Sequence, residues 1–235
     1  MFQSRFIAGA FVALACSTLS AATLSFTKLD GLVGGTPAAT AIYRASLGDA
    51  TTLDVLSITI EDNSAGLGGS PGQYSGFDLD AIKLSTEFCT TASCASSAAA
   101  LPVFNFAGGV VFTPGAQRAP ADPKLFGTGP TGNTLDNSVA TLGLFDGNAI
   151  TGPTAFGFIS LGDNGKISFN LTASLAPAGV YLYIGEVGDN GEVAASGISV
   201  SSRPVTPEIP EPGTWMLSLL GLGGIAASRW RGLRR

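Results

Sequence analysis

Histidine is absent from all 235 residues. That excludes a Ser-His or Cys-His nucleophile and a histidine-liganded zinc. Cysteine is scarce, with Cys16 near the N-terminus and only Cys89 and Cys94 in the body of the chain. There is no second cysteine pair to complete a thiolate metal site. Charged residues make up only 12% of the chain, which is not the composition of a disordered polyelectrolyte. Basic residues are few where acidic ones gather. Residues 23–211 hold all 17 acidic residues against seven basic ones, a balance of −10. Such a region repels phosphate backbones, which disfavours nucleic acid as a partner. Either the excess acid only keeps the region soluble, or it serves solvated divalent cations and neutral sugars. Tryptophan is missing from the same region, occurring only as Trp215 and Trp230. The Gly66–Gly69 stretch lacks the Gly-Lys-Ser/Thr and the following helix of a phosphate loop.

What is present is most specific at the two ends. Residues 1–22 read as a secretory signal peptide: Arg5 makes the positive start, residues 6–15 an apolar run, and Ser20, Ala21 and Ala22 a small-residue cleavage site. Cys16 sits poorly for a lipoprotein box, since Ala13 occupies the position where leucine is preferred. In an exported chain Cys89 and Cys94, separated by four small polar residues, read as a local disulfide. At the other end Pro204, Pro207, Pro210 and Pro212 make residues 204–213 a stiff spacer. Residues 214–228 form an apolar run that, as a helix, covers about 22 Å against roughly 30 Å of bilayer hydrocarbon. It is expected to span a membrane by thinning and snorkelling. Trp215 and Trp230 then lie at the interfaces, and Arg229, Arg231, Arg234 and Arg235 in residues 229–235 stay cytoplasmic.

The order Pro210-Glu211-Pro212, apolar helix, arginine cluster resembles the PEP-CTERM sorting signal. The resemblance covers about 26 residues. It implies recognition by an exosortase, a membrane-embedded enzyme thought to cleave near the motif. It also implies a Gram-negative bacterium that makes exopolysaccharide. Three runs within the exported region resemble a module of PEP-CTERM proteins: Phe77–Ala81, Ser160–Asp163 and Gly185–Asn190. That module brings no assigned activity.

Residues 23–203 are expected to form one all-β exported domain, a β-sandwich of jelly-roll type. Period-2 or β-branched segments recur at 23–29, 40–47, 53–60, 77–84, 110–112, 138–145, 155–161, 166–171, 179–184 and 194–200. Asn164-Gly165 and Asn190-Gly191 are hairpin-turn signals. The Pro-, Gly- and Ala-rich stretch 98–134 reads as a long loop or excursion. No helix-period segment of useful length is found in the domain.

Site chemistry is thin. Asp62, Asp78 and Asp80 flank a glycine-rich loop, and Asp163, Glu186 and Asp189 lie in the two later Gly-Asp-Asn-Gly turns. Closely spaced carboxylates suit a hard cation, so these six are the candidate calcium ligands. The alternatives are ordinary turns and a solvated strand face. A glycosidase would need two carboxyls across a cleft, with Asp78, Asp80 and Glu186 the first candidates; nothing marks them above the other acids. The function expected is a non-catalytic surface or matrix protein associated with extracellular polysaccharide. A carbohydrate- or ligand-binding module is the alternative, and it would need exposed aromatics. Tyr181 and Tyr183 share one strand face and are the test of that reading.

Overall fold

The structure is a computed structural model and describes residues 21–63, 70–151, 154–195 and 197–207. Residues 1–20 of the leader, the Pro-Glu-Pro motif, the apolar segment 214–228 and the arginine tail lie outside the described residues. Among the described residues, no helix is long and apolar enough to cross a membrane.

The all-β expectation holds. In chain order the strands are β1 (Ala22–Thr23), β2 (Thr27–Lys28), β3 (Pro37–Ala38), β4 (Thr40–Ser46), β5 (Val55–Glu61), β6 (Asp78–Ser85), β7 (Val110–Thr113), β8 (Asn148–Thr151), β9 (Thr154–Phe156), β10 (Ile159–Ser160), β11 (Lys166–Leu175), β12 (Tyr181–Val187) and β13 (Gly197–Ser201). Among the described residues four short α-helices interrupt them, α1 (Leu47–Ala50), α2 (Ala92–Ser97), α3 (Asn137–Ala140) and α4 (Glu192–Ala195), with a 3-10 turn at Gly72–Tyr74. A first antiparallel sheet has the order β1-β13-β5-β11-β7 and a second β10-β6-β12-β4-β2; β3, β8 and β9 make a small third sheet.

The first two sheets share one core. Ile58, Ile60, Ile167, Phe169, Ile198 and Val200 from the first meet Tyr43, Leu79, Ile82, Leu84, Leu182 and Ile184 from the second. The first sheet turns its apolar residues to one face, and β13 alternates between buried and half-exposed residues. The second sheet is buried on both faces. Ile42, Ala81 and Tyr183 on its other side pack under Leu29, Phe145, Cys89 and the α2 residues Ala92 and Ala95. Every residue of β6 is therefore buried, Asp78, Asp80 and Lys83 included.

Two expectations need correction. Residues 138–145 are not a strand: Asp136 caps α3 by accepting from the Ser138 N–H, and the chain then leaves through Thr141 at φ 46°. The Gly-Asp-Asn-Gly turns do not close hairpins. They join β10 to β11 and β12 to β13, so each passes from the second sheet to the first. Asn164 and Asp189 supply the positive φ (62° and 54°), so the sequence reads a tight turn correctly but not which strands it joins. The stretch 98–134 is an excursion carrying only β7 as a regular strand.

Candidate functional site

One end of the two-sheet stack collects the acids. The starts of β11 and β13 both pair with the end of β5, through Lys166↔Glu61 and Gly197↔Glu61. The crossings β10 to β11 and β12 to β13 therefore arrive at the end of the stack where β5 leaves for β6. Four carboxyl side chains there are almost wholly buried: Asp62, Asp78, Glu186 and Glu192. Each accepts from backbone or side-chain donors, within its own crossing or from a neighbouring segment. Asp62 accepts from the Asn164 N–H at 3.0 Å. Glu186 closes its own turn, accepting from the Gly191 N–H at 2.6 Å and the Val193 N–H at 3.0 Å. Glu192 accepts from the Asp78 N–H at 2.9 Å, tying that turn to the start of β6. Asp78 accepts from the Ser160 hydroxyl. Asp163 pairs with Arg118, Oδ1 to Nε at 3.3 Å, and the Arg118 N–H donates to Ser75 Oγ at 2.9 Å.

Burial disfavours the charged form of two of these carboxyls, Asp78 and Glu192. Burial pushes Asp78 well above the usual carboxylate range; Ser160 and Arg118 pull it partly back, while Glu186 and Asp62 push it further. Burial likewise raises Glu192, with the charge of Asp78 adding to it. Burial also raises the Tyr43 phenol, which hydrogen-bonds Glu186.

A second acidic pair lies across the second sheet. Asp80 accepts from Thr40 Oγ1 at 2.7 Å and from the Gly147 N–H at 2.8 Å. To reach β4 it must pass over β12, and it does so at Gly185, where an added Cβ would lie 2.9 Å from the Asp80 carboxyl. Between the pairs Ile184↔Ile82 and Glu186↔Leu79, β6 spends three steps and β12 two. That extra residue is a β-bulge, a device that re-aims side chains. Burial pushes Asp80 up to about 8, and a hydrogen bond with Asp146 helps keep it protonated.

The six residues named as calcium ligands are thus divided. Asp78 turns to β10 on one side of β6, and Asp80 crosses to β4 on the other. Asp163 is paired with Arg118, and Asp189 is at the surface with Lys28 at 2.5 Å. Among the described residues, the acid and cysteine ligand atoms that lie within 4.8 Å of one another in a group of three are those of Glu87, Cys89 and Cys94. No three of the six candidate acids form such a group. Backbone N–H groups bind Asp62, Asp80 and Glu186, and side chains bind Asp78, Asp163 and Asp189. Sequence reading missed Glu192, Arg118 and Asp146. Glu192 directly follows the second Gly-Asp-Asn-Gly turn, a signal that was there to use; Arg118 and Asp146 carry none.

Cys89 and Cys94 are joined by a disulfide that staples the N-terminal end of α2. Thr91 caps that helix, its side chain accepting from the Cys94 N–H, and the Lys83 ammonium donates to the Ala95, Ser96 and Ala98 carbonyls at its other end. Tyr183 is buried; its hydroxyl donates to the Glu87 carbonyl at 2.6 Å and accepts from the Cys89 N–H at 3.0 Å. Tyr181 is partly buried, edge-on to the exposed Phe88. The two tyrosines are packing residues and make no exposed aromatic row.

No curated protein and no solved structure matches this chain. A family model does match, at residues 208–235. Those residues include Pro210-Glu211-Pro212, the apolar run and the four closing arginines, and the match begins three residues after the compact unit ends at Val205. The C-terminal segment of this chain is a PEP-CTERM protein-sorting motif.

Proposed function

We propose that this is a non-catalytic protein of the cell surface or extracellular matrix, exported by its leader and processed by an exosortase. The observation that carries the reading is the sorting motif following directly on a self-contained all-β unit. Before processing, residues 214–228 hold the chain in the membrane, with residues 229–235 on the cytoplasmic side. Afterwards a β-sandwich of about residues 23–203 is left outside, associated with extracellular polysaccharide. Cleavage one or two residues before Thr23 suits the fold best, because Ala22 pairs with Val200 in the first sheet. The buried acids serve as hydrogen-bonded clasps of the chain crossings, which fits a scaffold without a reactive cleft. The test replaces Pro210, Glu211 and Pro212 by alanine in a host that has the sorting enzyme. The variant is expected to stay in the membrane fraction with its tail, while the parent leaves it. Equal release of both would overturn the reading.

A binding module is the second reading. It is favoured by Phe88, 56% exposed, whose ring lies under the Arg44 guanidinium at 4.0 Å. A sugar would stack on its open side, and Phe88→Ala would then abolish retention on a polysaccharide column.

A further inference from the structure

The chain leaves the domain by a strapped path. β13 ends at Ser201, which pairs with Ser57 on β5, and Ser57 pairs with Asn170 on β11. Ile58 and Phe169, their neighbours in sequence, face the core, so Ser57 and Asn170 face the other way. After Ser201 the backbone runs across this row. The Ser57 hydroxyl donates to the Arg203 carbonyl at 2.7 Å. The Asn170 amide then grips Val205 at both ends: Nδ2 donates to its carbonyl at 2.8 Å, and its N–H donates to Oδ1 at 2.7 Å. A side-chain amide here does what a neighbouring strand would do, in a segment where Pro204 and Pro207 cannot donate. Ser57 is only 1% exposed.

We propose that Ser57 and Asn170 form a latch that sets the length of the arm presenting Pro210-Glu211-Pro212, and that releasing it lets a membrane-embedded processing enzyme reach the motif. The proposal rests on the processing reading above. Latched at Val205, the arm to Pro210 is five residues long. However it folds, it reaches at most about 18 Å. The headgroup layer takes up roughly 6 Å of that. The remaining 12 Å or so is about the thickness of a single helix. Released back to Ser201, the arm gains four residues and reaches about 32 Å. Any part of an enzyme thicker than one helix can then lie between the domain and the membrane.

The test is a pulse-chase of full-length chain in a host with the sorting enzyme. The double variant Ser57→Ala, Asn170→Ala is expected to shorten the processing half-time about threefold or more, because a lengthened tether raises the effective concentration of the motif. A six-residue Gly-Ser insertion between Val205 and Thr206 leaves the latch intact and lengthens the arm, and it should accelerate processing similarly. An unchanged or slower half-time in the insertion variant, or in a double variant as protease-resistant as the parent, overturns the latch. If the double variant does not fold, the insertion alone decides. Replacing the Pro-Glu-Pro motif by alanine in the insertion background must block processing. If it does not, the motif reading has failed, separately from the latch.

Discussion

Asp80 shows how a residue that looks like a ligand becomes a clasp. Its carboxyl is buried, and its two oxygens accept from Thr40 and Gly147 over the notch left by Gly185. Because it is held protonated, Asp80→Asn should change stability by less than about 1.5 kcal/mol at pH 7. Asp80→Ala leaves both donors buried without a partner and should cost about 2–4 kcal/mol. Urea denaturation of the two variants checks the difference. The sign of the pH dependence follows from the same burial. Unfolded, Asp80 titrates near 4; folded, it is pushed up to about 8. Asp78 and Glu192 shift in the same direction. Between those values the native state keeps protons that the unfolded chain releases, so unfolding free energy falls as pH rises. This stabilisation is full below the unfolded values and is lost as pH rises through the folded ones. Thermal melts from pH 5 to 9 should show Tm falling, with a shallower fall for Asp80→Asn; a Tm that rises across this range contradicts the assignment. Melts with calcium and with chelator should coincide, since no three of the six candidate acids lie within 4.8 Å of one another among the described residues. A clear upward shift with calcium would restore the cation reading.

At the scale of elements, α2 is held from both ends, by the disulfide and the Thr91 cap at one and by Lys83 at the other. The loop closed by the disulfide is short, so replacing both cysteines with serine should cost at most about 2–3 kcal/mol. The fold should survive, which near-ultraviolet circular dichroism of the variant checks. Strands that bury one face were legible: β13 alternates in sequence and in the structure alike, while β5 departs from alternation at Ser57, which is buried and bonded to the Arg203 carbonyl. Strand β6 was placed well by its apolar residues, but its acids misled. An aspartate on a strand normally marks a solvated face, and here the second sheet is covered on both sides. The run 138–145 has strand-like composition, yet the Asp136 cap and the local geometry around Thr141 decide for α3 and a turn. The two Gly-Asp-Asn-Gly turns were legible as turns. Their role as passages between sheets was not, because turn chemistry fixes φ locally and says nothing about the partner strand. For the same reason Glu186 and Glu192 could be named or missed by sequence, but their convergence with Asp78 depends on three crossings meeting at one end.

In the whole molecule, a compact all-β unit ending at Val205 is followed by a sorting motif at residues 208–235. The destination was the most legible property, because an address is a linear signal and needs no tertiary contact. The clasped carboxyls and the exit strap depend on residues far apart in sequence, such as Asn170 and Val205. The most direct measurement is the intact mass of the protein recovered from a host that has the sorting enzyme. The account predicts a chain that begins near residue 23, ends near Pro210-Glu211-Pro212 and lacks the arginine tail. A mass that retains the tail through Arg235 would contradict it.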